Sequence, residues 1–152
     1  MATTGASDSR WFVDANVLVF AANPLSPWHA AAATRLREPR LGNISLLVNP
    51  QVMREFIAAA SRPPPGGPPP PSDPILDNVR RIRAGFVLLD EHAATIDRLA
   101  ELLRTFPTCG KQVHDANVVA TMLTHGVSTI LTHNTGDFIR FSALVRILPL
   151  VP

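Results

Sequence analysis

The chain is short of the residues that build most extracellular and membrane proteins. Cys109 is its only cysteine in 152 residues, which excludes an internal disulfide or a cysteine-based zinc cluster. There is no tyrosine, and aromatics make up 6% of the sequence, too few for extensive base stacking. Lys111 is the only lysine, so the basic side is almost all arginine, and the net charge is only +2. That small excess excludes a general polycation and leaves room for a local arginine patch. No uncharged apolar run reaches the roughly 18 residues a membrane helix needs. The apolar stretch at 11–22 is broken by Asp14 and Asn16, and no basic signal-type segment precedes it. The expectation is a cytoplasmic protein with no membrane contact.

What is present is enough apolar content for one domain. The chain is 46% hydrophobic with a mean hydropathy of +0.15, which places it among folded rather than disordered chains. Residues 1–9 are small and polar and read as a flexible tail; 10–152 read as a single domain. Continuous apolar runs at 11–13, 44–48, 86–89, 129–131 and 144–148 suit strands buried on both faces of a parallel sheet. Between them lie helical patterns with start signals at Ser26-Pro27, Asn49-Pro50 and Asp73-Pro74. A further helix is expected from Asp90 to about Phe106, and another over 112–125. Stops are expected at Glu38 before Pro39, at Arg62 before Pro63, and at Gly85 and Gly126 as left-handed caps. The PPPGGPPPP run at 63–71 excludes helix and interior strand and reads as a solvated, polyproline-like connection. Strands alternating with helices define an α/β layered fold.

The acidic residues carry the functional signal through their placement. Asp14 directly follows a strand candidate, at the sheet edge where open α/β proteins bind ligands; the plainer role is a cap for the helix behind it. Glu55 falls on the apolar side of the helix from Pro50, where an unpaired carboxylate is costly. Asp115 lies in the first turn of the 112–125 helix, where the helix dipole alone favours an anion. The run Thr132-His133-Asn134-Thr135-Gly136-Asp137-Phe138 follows another strand candidate. Carboxylates brought within about 4–6 Å raise one another's pKa, and a divalent cation relieves that repulsion. Oxygen donors without cysteine or zinc-spaced histidine select Mg²⁺ or Mn²⁺. His114 and His133 flank these segments, each able to act as an acid or to touch phosphate; His125 reads as a helix C-terminal residue. Arg80, Arg81 and Arg83 form the densest basic cluster and are the candidates for contacting a phosphate backbone, with a solvated helix face as the competing explanation.

Asp14-Ala15-Asn16-Val17-Leu18, the inward Glu55, His114-Asp115-Ala116 and the 132–138 run, taken in order, resemble the PIN-domain nucleases, and among them the VapC-like toxins of bacterial toxin–antitoxin pairs. The resemblance spans about 11–148. It implies a three-layer α/β/α sandwich with a mainly parallel sheet of about five strands. It also implies a Mg²⁺- or Mn²⁺-dependent endoribonuclease, a small cognate antitoxin and a homodimer. By motif, Asp14, Glu55 and Asp115 fall on the family's three acidic metal-site positions. Asn134 falls on a fourth that is commonly Asp, and Asp137 is the neighbour able to supply the missing carboxylate. Asn16 and Thr132 are candidates for positioning phosphate or a ligand carboxylate. Ala15 stands where many relatives carry a small hydroxyl residue, and the Pro-rich run falls where relatives often carry a helical dimerisation clip. Two alternatives remain at this stage. One is a noncatalytic RNA- or protein-binding domain with a degenerate metal site, favoured by the neutral Asn134. The other is an aspartyl phosphatase of the haloacid-dehalogenase type, which fits less well because Asn16 replaces its second aspartate.

Overall fold

Five parallel strands, in the spatial order β3-β2-β1-β4-β5, form the centre of the computed structural model, which describes residues 9–152. The tail expected at 1–9 lies outside the described residues apart from Ser9, whose carbonyl accepts from the Ser45 amide at 2.8 Å. The strands are β1 (Arg10–Val13), β2 (Ser45–Val48), β3 (Val87–Leu88), β4 (Thr129–Thr132) and β5 (Arg146–Pro149). The central three are buried almost throughout: Phe12, Val13, Leu46, Leu47, Val48, Ile130 and Leu131 are each 2% exposed or less. This is why their sequences are apolar without alternation.

The chain runs from β1 outward to β2 and β3, then crosses back to β4 and β5. With right-handed crossovers, this places α1 (Ala15–Ala22), α2 (His29–Leu41), α3 (Pro50–Ala60) and α4 (Ser72–Gly85) on one face. The other face carries α5 (Ala93–Thr105), α6 (Gln112–Thr124) and the short α7 (Thr135–Phe138) with the 3-10 turn that follows it. The result is the expected three-layer α/β/α sandwich. The order of strands reverses between β1 and β4, so the carboxyl ends of these two neighbours form the switch point where ligands enter such sheets. Because Phe12 is fully buried in β1, Phe12→Ala is expected to cost about 3–5 kcal/mol. Thermal unfolding should register this as a fall in Tm on the order of 10 °C.

Several helix ends differ from the sequence expectation. Asn49-Pro50 starts α3 as anticipated, with the Asn49 side chain accepting from the Val52 amide at 2.9 Å. Ser26-Pro27 instead forms a turn in which Ser26 Oγ accepts from the Trp28 amide, and α2 begins only at His29. Helix α4 starts at Ser72, so Asp73 lies inside its first turn rather than capping it. Helix α5 starts at Ala93 and not at Asp90, capped by His92 with Thr95 closing a reciprocal box. Pro39 does not stop α2, which continues to Leu41. The stop is Asn43, at φ 60°, with Ile44 N donating to Pro39 O at 2.9 Å in a Schellman closure. Gly126, at φ 65°, closes α6 the same way through Val127 N and Met122 O. Gly85 takes no left-handed conformation. It is small because a Cβ there would stand 2.9 Å from the Arg40 guanidinium, which donates to the Gly85 carbonyl and lies over the Phe86 ring. The Pro-rich run forms the irregular connection between α3 and α4.

A candidate metal centre at the switch point

Asp14 is the fixed point of the site. It leaves the end of β1 with its amide bonded to Leu131 O of the neighbouring strand at 3.0 Å, and its residue is only 9% exposed. One carboxylate oxygen, Oδ1, accepts from the Ala15 amide at 2.8 Å and so caps α1. The other, Oδ2, accepts from Thr132 Oγ1 at 2.7 Å and Asn16 Nδ2 at 2.8 Å. The capping role and a place in the candidate site are therefore compatible. Thr132 and Asn16 are tied to each other and to the loop: Thr132 Oγ1 also accepts from the Asn134 amide at 3.1 Å, and Asn16 Oδ1 from the His133 amide at 3.1 Å. Burial pushes the Asp14 carboxyl above the usual carboxylate range, against the pull of these donors, and Glu55 raises it further.

The other acidic groups converge on this point. Asp115, half-buried in the first turn of α6, has its pKa pushed up to about 7. Burial is the largest cause, followed by repulsion from Asp137, then Asp14, then Glu55, with Arg140 acting in the opposite direction. Asp14 at the end of β1, Glu55 on α3 and Asp137 on α7 thus all sit within electrostatic reach of Asp115 on α6. Glu55 is half-buried on α3, where Gln51 Nε2 donates to its Oε1 at 2.8 Å. Asp137 and Asn134 are exposed around α7, with the Asp137 amide donating to Asn134 O.

A hard divalent cation fits the chemistry of this donor set: oxygen atoms only, on mutually repelling carboxylates, with the pKa values of Asp14 and Asp115 raised by burial. Among the described residues no three His, Cys, Asp or Glu side chains are drawn together as a ready-made coordination sphere. That splay is what uncompensated like charges produce. Asp14 is clamped by three donors, whereas the more exposed Glu55, Asp115 and Asp137 keep the rotamer freedom to close on an ion.

The basic residues fall differently from the sequence expectation. Arg80, Arg81 and Arg83 do not join the acidic edge. They occupy the last two turns of α4, which lead into the amino end of β3, the opposite edge of a parallel sheet from Asp14. Arg80 is paired with Asp77 at 2.6 Å. The cation that does reach the site is Arg140. Its guanidinium bridges Pro107 O at 3.0 Å and Gln112 Oε1 at 2.9 Å, packing the turn after α7 against the start of α6. Beside Glu55 a cleft of about 410 Å³ is lined by Gln51, Arg54, Leu99, Val113, His114 and Asn117, giving Arg54 and His114 access to the same edge. His133 makes aromatic contacts with α1 and the turn before α2. Its ring packs against Phe20 and Trp28, with centroids 5.2 and 4.6 Å apart.

The general class is an α/β/α sandwich with carboxylates gathered near its switch point. The sequence model of the PIN domain matches residues 11–144, and the chain belongs to the PIN-domain family. No curated protein matches the sequence. Similar solved structures include VapBC2 from Rickettsia felis bound to a promoter DNA fragment, at 14% identity and TM-score 0.65, covering 92% of this chain and 98% of that one. VapBC-1 from nontypeable Haemophilus influenzae matches at 14% identity and TM-score 0.62, covering 94% and 99%. Mycobacterium tuberculosis VapC20, described as a sarcin-ricin loop cleaving toxin, matches at 17% identity and TM-score 0.59, covering 78% and 85%. Among the described residues, no helix is long and apolar enough to cross a membrane.

Proposed function

We propose that this chain is a Mg²⁺- or Mn²⁺-dependent endoribonuclease and acts as the toxin of a toxin–antitoxin pair. The observation that carries the reading is the convergence of carboxylates from three other chain segments on Asp115 at the carboxyl edge of the sheet, with burial and their repulsion pushing its carboxyl up to about 7. Such an arrangement is costly without a cation. Asp14 and Asp115 would hold the ion directly. Glu55 would be a further ligand, of the same or a second ion, or would orient a water. Neutral Asn134 offers a carbonyl oxygen or holds a water, and Asp137 supplies the nearby negative charge. A bound ion of this kind polarises a phosphoryl oxygen and lowers the pKa of water.

The chain's own residues do the rest. Thr132 and Asn16 hold the Asp14 carboxylate in one orientation. Arg140 and Arg54 place positive charge beside the acidic edge, where a phosphodiester backbone gains most of its nonspecific affinity. The description of the similar VapC20 as a sarcin-ricin loop cleaving toxin supports a toxin that cleaves; RNA as substrate, a small antitoxin as partner and cytoplasmic action complete the reading. A homodimer is part of the same proposal.

The test is incubation of the purified chain with structured RNA in Mg²⁺ and in excess chelator. Cleavage in Mg²⁺ that chelator abolishes is the expected result, while cleavage that persists in chelator contradicts the metal role. RNA retained on the protein but uncut in Mg²⁺ would favour the second reading, a noncatalytic binding domain, for which the neutral, exposed Asn134 is the supporting feature.

A further inference from the structure

We propose that Gln51 is a positioning residue that sets the separation of Glu55 and Asp115 and thereby tunes divalent-cation affinity. This inference rests on the metal-dependent reading above. Gln51 is only 6% exposed, and a buried carboxamide must place each of its polar groups. All are placed. Nε2 donates to Glu55 Oε1 at 2.8 Å, one helical turn along α3, and also to the backbone oxygen of His114 at 3.0 Å. His114 immediately precedes Asp115, so one amide group grips a candidate ligand on α3 and the backbone that presents another on α6.

The carbonyl side of Gln51 is anchored as well. Its Oε1 accepts from Asn117 Nδ2 at 2.7 Å, and Asn117 Nδ2 also reaches Glu91 Oε1 at 3.4 Å. Glu91 in turn accepts from Asn49 Nδ2 at 2.8 Å, the residue whose other side-chain atom caps α3. The chain Glu91–Asn117–Gln51–Glu55 therefore fixes which way the amide faces, with its NH₂ toward the acidic edge. A donor aimed at Glu55 Oε1 fixes where that carboxylate sits and holds it against repulsion from Asp14 and Asp115. Glu55 is otherwise the ligand with the most freedom to swing into the adjoining cleft.

The test is a double-mutant cycle read by Mn²⁺ calorimetry rather than by turnover, with Gln51→Met, Glu55→Ala and the pair. Methionine keeps length and volume but cannot donate. Gln51→Met is expected to weaken Mn²⁺ binding about tenfold, in the range found for partners that orient metal ligands. In the Glu55→Ala background the further loss is expected to be clearly smaller, because only the hold on the backbone before Asp115 remains. Asn117→Ala, which removes the anchor behind Gln51 and its longer contact to Glu91, gives a smaller loss of the same kind and serves if Gln51→Met does not fold. Wild-type affinity in Gln51→Met, or an equal loss with and without Glu55, overturns the positioning role and leaves the metal centre standing. Absence of Mn²⁺ binding by the wild type overturns both.

Discussion

Asp14→Asn is expected to lower Mg²⁺-dependent RNA hydrolysis by at least about 100-fold, since losses of 10–100-fold already follow from altering groups that only orient a ligand. Asparagine is as good a helix N-cap as aspartate, so the start of α1 should survive. The damage is local. The new NH₂ at the Oδ2 position would confront Asn16 Nδ2, donor against donor, where the carboxylate now accepts at 2.8 Å. Asn16 cannot simply turn over, because its Oδ1 is committed to the His133 amide. Circular dichroism should report a folded protein, and the cleavage assay should report the loss. Changing Arg80, Arg81 and Arg83 together to alanine should leave cleavage essentially unchanged, since they lie at the opposite edge of the sheet. A near-normal rate for Asp14→Asn would remove Asp14 from the chemistry.

The second large effect concerns pH. Asp115 has an ordinary carboxyl pKa of 3.8 when unfolded and about 7 when folded without an ion. The folded state therefore holds its proton more tightly. Stability from this group is present at low pH and is lost as pH rises through the interval from about 4 to 7. Asp14, also raised, acts in the same direction. In chelator, the melting temperature should fall as pH is raised from 5 to 8. Asp115→Asn should flatten that fall, and so should saturating Mg²⁺, which replaces the proton as the neutralising charge. The same competition makes the Mg²⁺ concentration for half-maximal cleavage drop as pH rises toward 7, approaching tenfold per pH unit while Asp115 remains protonated. A chelated protein that becomes more stable across this interval would contradict the arrangement of Asp14, Glu55, Asp137 and Arg140 around Asp115.

The strands and the placement of the carboxylates were legible because each depends on local chemistry. An apolar run followed at once by Asp14 marks a buried strand and its carboxyl end. Asn49-Pro50 marks a helix start whose cap hydrogen bond is present at Val52. Signals that depend on competition between neighbours read less well. Ser26-Pro27 carries a capping pair, yet its serine is satisfied in a preceding turn. Pro39 carries a stop signal, yet α2 runs on to Leu41 and is closed by Asn43.

The supporting residues were harder to see. Gln51 and Glu55 at i and i+4 are a pattern that sequence can suggest, but Asn117 and Glu91 join them only through the packing of α6 and the loop before α5 against α3. Arg140 gave no local sign. Its closeness to Asp115 arises where the turn after α7 docks on the start of α6, whereas the Arg80–Arg83 cluster, conspicuous in the sequence, is carried by α4 to the far edge.

The central claim is that groups from β1, α3 and α6 share one divalent ion at the carboxyl edge between β1 and β4. Anomalous scattering from a crystal grown with Mn²⁺ tests it most directly. A peak within bonding distance of Asp14 and Asp115, with Glu55 turned toward it, is the predicted result. Full-occupancy Mn²⁺ elsewhere on the molecule, with these three carboxylates unliganded, would contradict it.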